Sequence, residues 1–224
     1  MKKILVFIIL TGIAETLLAQ TQFDLFAGPQ VTTSKYYIHA KKQPVTQKYG
    51  FQAGAGLKIP FDINLYFSPA AFYSLKGYKV AFNEKASPPD TNAIDNNTTI
   101  HTFELAFLLQ YDFGKEASHC FIKFGPSLDF QVIGKEKFNL KNGTSVNRDM
   151  TFDFTHYGRY GANAIVQFGY ESAGGLLIFA QYSYGLGNLN NADEGPNIRS
   201  RVYGLSIGKY INRKKIIIDT RNKE

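Results

Sequence analysis

Cysteine is almost missing from this chain: Cys120 is the only one in 224 residues, which excludes an internal disulfide and any zinc site built on cysteine. Tryptophan is absent and apolar runs are short. Beyond the first residues nothing approaches the roughly 20 consecutive apolar residues of a membrane-spanning helix. Acidic side chains are outnumbered, 18 Asp and Glu against 25 Lys and Arg, for a net charge of +7. Such a balance suits nucleic acid, but no basic stripe with interleaved aromatics is present, and nucleic acid is not expected as a partner. No Pro/Ser-rich linker or charge block divides the chain, and no GxxxxGK[ST] loop offers a phosphate site. What is plentiful is Phe (19), Tyr (14) and Gly (20), a composition that suits β-structure with crowded backbones.

The chain begins MKKILVFIILTGIAETLLAQ. Lys2 and Lys3 precede an apolar run, Ile4 to Leu10, and small Ala19 closes the segment, the pattern of a secretory signal peptide cut between Ala19 and Gln20. Thr11, Gly12, Glu15 and Thr16 make the run too broken for a membrane anchor. No cysteine follows the signal, so lipid attachment there is excluded. The mature chain is exported and suits a single domain.

The most informative stretch is His101 to Phe113, HTFELAFLLQYDF. Phe103, Leu105, Phe107, Leu109, Tyr111 and Phe113 alternate with Thr102, Glu104, Ala106, Leu108, Gln110 and Asp112, a period of two that predicts a strand with two unlike faces. Seven more segments follow that rule, giving strands at 22–31, 50–59, 63–77, 101–113, 120–132, 157–170, 176–185 and 202–211, with Phe152 and Phe154 as a possible upward extension of the sixth. Pro69, which cannot donate to a ladder, predicts a bulge or local break in the third. The connections alternate long and short. That alternation predicts an all-β fold, an eight-stranded antiparallel up-and-down transmembrane β-barrel with tight periplasmic turns and long outer loops.

Charges sort by face. Lys58, Lys76, Lys123 and Arg159 fall on polar faces together with Asp24, Glu104, Asp112 and Asp129. Four of each sign is the composition a closed interior needs, since an unpaired buried charge costs several kcal/mol. The apolar faces carry only Lys209, near a strand end where its stem can snorkel. The first long loop, Thr32 to Tyr49, holds Lys35, Lys41, Lys42 and Lys48 with no acid, and such a loop could touch lipopolysaccharide phosphates. The Pro- and Asn-rich connection at 78–100 is expected to be mobile and lacks the spacing of a calcium loop.

Two other readings compete. A soluble lipocalin-like ligand-binding barrel would turn the apolar faces inward, leaving an outer face too small and too sparsely charged for water. A lipid-modifying outer-membrane enzyme needs a nucleophile with a base in reach. His101 and His156 fall near outer strand ends, but neither Ser74 nor Ser183 can be assigned to them, so no catalytic residue, metal or cofactor is expected. Small eight-stranded barrels are just filled by side chains, which argues against a wide pore.

Several stretches resemble the PorT-like family of outer-membrane β-barrels of Bacteroidetes-type bacteria. Phe67 to Gly77, FSPAAFYSLKG, is similar to that family's third strand, and Phe103 to Tyr111, FELAFLLQY, to its next, with Ala106 where the family often has Pro. Gly125-Pro126 and Tyr182 to Leu186, YSYGL, match two later strands. The resemblance implies a bacterial outer-membrane location, insertion by the barrel assembly machinery and contact with outer-membrane lipid and lipopolysaccharide. The chain is expected to be a non-catalytic monomer with a structural or binding role, open to an unknown protein partner. Family members end on their last strand, whereas here Asn212 to Glu224 follow, with Arg213, Lys214 and Lys215. The expected division is therefore a signal at 1–19, a barrel domain at 20–211 and a basic periplasmic tail at 212–224.

Overall fold

The computed structural model describes residues 21–211 except 86 and 115. The predicted signal and tail lie outside the described residues. Ten strands form: β1 (Gln22–Ile38), β2 (Lys41–Lys42), β3 (Val45–Asp62), β4 (Leu65–Ala81), β5 (Asp95–Phe113), β6 (His119–Asn139), β7 (Ser145–Asp149), β8 (Tyr160–Glu171), β9 (Leu176–Gly185) and β10 (Asn197–Tyr210). All ten join one antiparallel sheet: eight follow one another in sequence order round the barrel, β2 pairs only with β1 and β7 only with β6, and β1 pairs with β10 from Asp24↔Tyr210 to Tyr37↔Asn197. The result is the expected closed eight-stranded up-and-down barrel. Closure leaves no sheet edge, which a wall in contact with hydrocarbon requires, because each unsatisfied backbone group there costs several kcal/mol.

The wall has the predicted faces. Phe103, Leu105, Phe107, Leu109, Tyr111 and Phe113 point outward with 38% to 49% of their surface exposed, while Glu104, Gln110 and Asp112 between them are buried. A ligand carrier of lipocalin type would show the reverse. Such an apolar exterior is stable against lipid, not water.

The strands run further than their sequence pattern indicated. At one end the connections are short, 63–64, 114–118 and 172–175, and both barrel termini lie there. At the other end β1, β3, β4, β5 and β6 extend beyond the predicted boundaries, so the supposed loop Thr32 to Tyr49 is a hairpin that turns at His39 and Ala40, both with positive φ. The connection at 78–100 contracts to 82–94 and is tied down. Phe82 N donates to Ile94 O at 2.8 Å, Ile94 N to Asn139 O at 2.9 Å, and Arg148 Nη2 to Pro89 O at 2.8 Å. Phe152 and Phe154 do not lengthen β8: Phe152 only bridges Tyr157, and Phe154 is 94% exposed.

Pro69 makes a break without a bulge. Its ladder to β5 is continuous, whereas towards β3 the pairing passes from Ala70↔Gly56 to Phe67↔Ile59 with no change of register. True register shifts occur in β3 between Gln47 and Gln52 and at His101/Thr102 opposite β6. In β6 the extra residue leaves Val132 and Ile133 both facing out. Beyond it the inward positions change parity.

The interior is filled in layers. Phe26, Phe72, Leu108, Phe121, Ile165 and Phe179 form one apolar cluster in the lower barrel, and Tyr36, Tyr78, Ile100, Tyr157 and Ile198 another towards the long-loop end. Glycine makes the first possible. Gly54 lies in register between Phe26 and Phe72, whose rings meet edge-on at 5.8 Å, and a Cβ there would come within 2.2 Å of Phe72 Cβ and 2.4 Å of Ala71 O. Gly54→Ala is therefore expected to cost about 1 to 3 kcal/mol by overpacking, read as a lower urea midpoint for loss of the fast-migrating unboiled band on SDS gels. Ala55→Val, one residue on and facing the apolar groove of the outer wall, should shift the midpoint little. Equal shifts for both would contradict the assigned faces.

Candidate functional site

Of the predicted interior charges, Asp24, Lys58, Lys76, Glu104, Asp112, Lys123 and Asp129 are buried inside the barrel. They separate into two groups. At the short-turn end Lys58 Nζ donates to Asp112 Oδ2 at 2.6 Å and Glu171 Oε2 at 2.8 Å, and its charge lies 4.3 Å from the centre of the Tyr66 ring. His119 Nε2 stands 3.0 Å from Asp112 Oδ2 and 3.4 Å from Glu171 Oε2. Lys123 rests over Phe121 and interacts electrostatically with Asp24. The ligand atoms of Asp112, His119 and Glu171 lie within 4.8 Å of one another, close enough to hold a metal ion, and the single Lys58 ammonium bonds one oxygen of each carboxylate.

At mid-height Lys76 Nζ bridges Glu104 Oε2 and Asp129 Oδ2, both at 2.9 Å. Ser127 Oγ and Asn163 Nδ2 donate to the other oxygen of Glu104. Beside these runs a chain of amides, Gln167 to Gln181 at 2.8 Å, Gln181 to Gln52 at 3.2 Å and Gln52 to Ser206 Oγ at 3.0 Å. A buried charge is tolerable only when paired and hydrogen-bonded, and these are.

Arg159 is not part of this interior. It precedes β8, is half-buried, and lies over the Phe130 and Phe152 rings at 5.7 and 5.6 Å. Two interior acids escaped the sequence reading. Glu171 is one residue past the predicted end of its strand, and continuing the alternation would have found it. Glu136 lies beyond the β6 bulge, where unbroken alternation points the wrong way. It accepts from Arg148 Nε at 2.7 Å and Tyr157 Oη at 2.8 Å. The expected balance of four acids and four bases thus becomes six buried carboxylates, Asp24, Glu104, Asp112, Asp129, Glu136 and Glu171, and three buried lysines among the described residues.

The four lysines assigned to a basic loop sit in three different settings. Lys41 and Lys42 are exposed in β2, and Lys41 Nζ bonds Glu84 Oε1 at 2.6 Å, a contact that holds the Glu84 carboxyl below its usual range. Lys48 donates to Asn97 Oδ1, Thr98 O and Thr99 Oγ1 at 2.6 to 2.9 Å. Lys35 is half-buried on β1, 3.4 Å from Tyr184 Oη.

The histidines and serines weighed for catalysis do not meet. His101 Nδ1 lies 2.6 Å from Tyr73 Oη on the outer wall, while Ser74 is buried inside and accepts from Gln30 Nε2 at 2.9 Å. Ser183 is also buried. His156 is held by Asp153 in an exposed loop.

The mid-height cluster makes a stability prediction. Lys76→Met leaves Glu104 and Asp129 buried without their cation and should cost about 3 to 5 kcal/mol in denaturant unfolding. Adding Glu104→Gln and Asp129→Asn removes the stranded charges and should restore most of the loss. A single variant as stable as the parent would mean the cluster does not balance charge as described.

No curated protein sequence matches the chain. Among solved structures, Neisserial surface protein A is 14% identical, with 84% of this chain and 96% of that one covered and a TM-score of 0.40. The outer membrane protein OprG from Pseudomonas aeruginosa is 13% identical, with 86% and 96% covered and a TM-score of 0.44. The outer membrane enzyme PagL is 14% identical, with 80% and 98% covered and a TM-score of 0.40. A family model described as outer membrane protein beta-barrel domain matches residues 18–191. The closed wall, the lipid-facing exterior and this match together make the chain a member of the outer membrane protein beta-barrel domain family, located in the bacterial outer membrane.

Proposed function

We propose that this protein is a non-catalytic, monomeric outer-membrane barrel with a closed interior, whose role is structural or binding and is exerted from its outer surface. The observation that carries the reading is the filled lumen: two apolar clusters and two ion clusters occupy successive heights of the barrel. Ser74 and Ser183 lie inside the barrel and His101 on its outer wall, a separation that favours a binding role over lipid modification. A barrel wall closed by the β1–β10 ladder supports a monomer. Within the family, the stretches Phe67 to Gly77 and Phe103 to Tyr111 support a PorT-like member. That assignment brings no particular partner with it.

In planar lipid bilayers the purified protein should give no stepwise conductance of the kind a water-filled channel produces, and it should leave acyl chains of added lipid A intact. Discrete, stable conductance steps would contradict the closed lumen. Acyl release would contradict the non-catalytic reading and turn attention to His101 and Tyr73.

A further inference from the structure

The outward face of the β1–β9–β10 seam gathers three cations, Lys35, Arg199 and Arg201. Lys35 on β1 stands directly across the ladder from Arg199 on β10, and Arg201, one outward position along, pairs with Tyr184 on β9. Like charges facing each other across a ladder are destabilising. Two cations towards the long-loop end are paired, Lys41 with Glu84 and Arg148 with Glu136. Lys35, Arg199 and Arg201 make no ion pair among the described residues, and Arg201 Nε is buried without a hydrogen-bond partner.

The three surround one side chain. The Tyr184 ring lies 5.1 Å from Lys35 Nζ and 6.0 Å from the Arg201 guanidinium. Lys35, Tyr184 and Arg199 line a recess of about 660 Å³, with Asn197 supplying an amide. Glu194 also lines it but forms no ion pair with Lys35 or Arg199 among the described residues. Height matters as much as charge. Tyr182 and Tyr203 pack at 5.0 Å on the outward face, and outward aromatic rings of membrane barrels form girdles at the lipid–water interfaces. Arg201 lies two residues beyond Tyr203 towards the long loops, about 7 Å along the strand, at the level of the headgroups.

We infer that Lys35, Arg199 and Arg201 form a binding site for the phosphates of lipopolysaccharide in the outer leaflet. Two guanidinium groups provide paired N–H donors matched to phosphate oxygens, Lys35 adds a third cation, and Tyr184 holds them in place. The inference rests on the reading above that the outer surface is where this barrel acts, and gives that surface a ligand.

Binding of purified protein in detergent to lipopolysaccharide, to the same material after dephosphorylation, to phosphatidylglycerol and to inorganic phosphate tests it. Lys35→Gln/Arg199→Gln/Arg201→Gln should weaken lipopolysaccharide binding by about tenfold or more, given three lost charge-assisted contacts. Removing equal charge elsewhere, with Lys41→Gln/Lys42→Gln/Lys85→Gln, should change it by less than about threefold, since only long-range attraction is lost. Dephosphorylated lipopolysaccharide should bind the parent no better than intact material binds the seam variant. Equal losses in both variants, or phosphatidylglycerol or inorganic phosphate binding as tightly as lipopolysaccharide, would overturn the site. If the seam variant lacks the heat-dependent gel shift of a folded barrel, Arg199→Lys/Arg201→Lys decides instead: it keeps the charge but loses the paired donors, and unchanged binding overturns the proposal. Conductance recorded on each variant separates the two readings, because an open channel counts against the closed lumen and not against the seam site.

Discussion

The β1–β10 ladder is the interaction on which the rest of this structure depends. A sheet surrounded by hydrocarbon cannot leave a row of N–H and C=O groups unpaired, so the first and last strands must meet. They do so from Asp24↔Tyr210 to Tyr37↔Asn197. Closure sends alternate side chains to lipid and to the lumen along every strand. Each later feature follows from that division: an apolar exterior, and a lumen that holds the carboxylates, amides and lysines with rings packed between them.

A small lumen then sets its own condition. Charges there have neither bulk water nor mobile counterions, so Lys58 and Lys76 each bridge two carboxylates, and the spaces between ion clusters are filled by rings. Packing rings into so narrow a cylinder requires positions without a side chain, and Gly54 between Phe26 and Phe72 is one. The same contacts that satisfy the charges block the passage. On the proposed reading, recognition moves to the exterior, where Lys35, Arg199 and Arg201 gather at the seam.

The membrane-spanning part of this fold was legible because lipid and lumen are chemically opposite, which imposes strict alternation on Phe103 to Phe113 and its counterparts. Legibility fails where the contrast does. Above the membrane both faces meet polar or mixed surroundings, so Thr33 to Ile38 and Asn96 to Ile100 read as loop although they continue their strands. Bulges do further harm. The extra residue at Val132 and Ile133 reverses parity, so Glu136 lies inside and Lys135 and Lys137 outside, contrary to simple counting. Arg159 failed for a related reason, since the alternation that assigned it inward was carried past the start of β8. The seam cations were beyond reach: Lys35 and Arg199 lie far apart in sequence, and only barrel closure makes them neighbours.

A disulfide across the closing seam tests the central claim most directly. In a Cys120→Ser background, Ala27→Cys and Ile207→Cys occupy paired positions, whose Cα separation of about 4.5 to 5.5 Å in an antiparallel ladder suits a disulfide. Mild oxidation of outer membranes should join them within one chain while the band keeps its heat-dependent shift. Failure to cross-link, or efficient linkage only for a pair displaced by two residues such as Ala27→Cys with Leu205→Cys, would contradict the barrel closure and register described here.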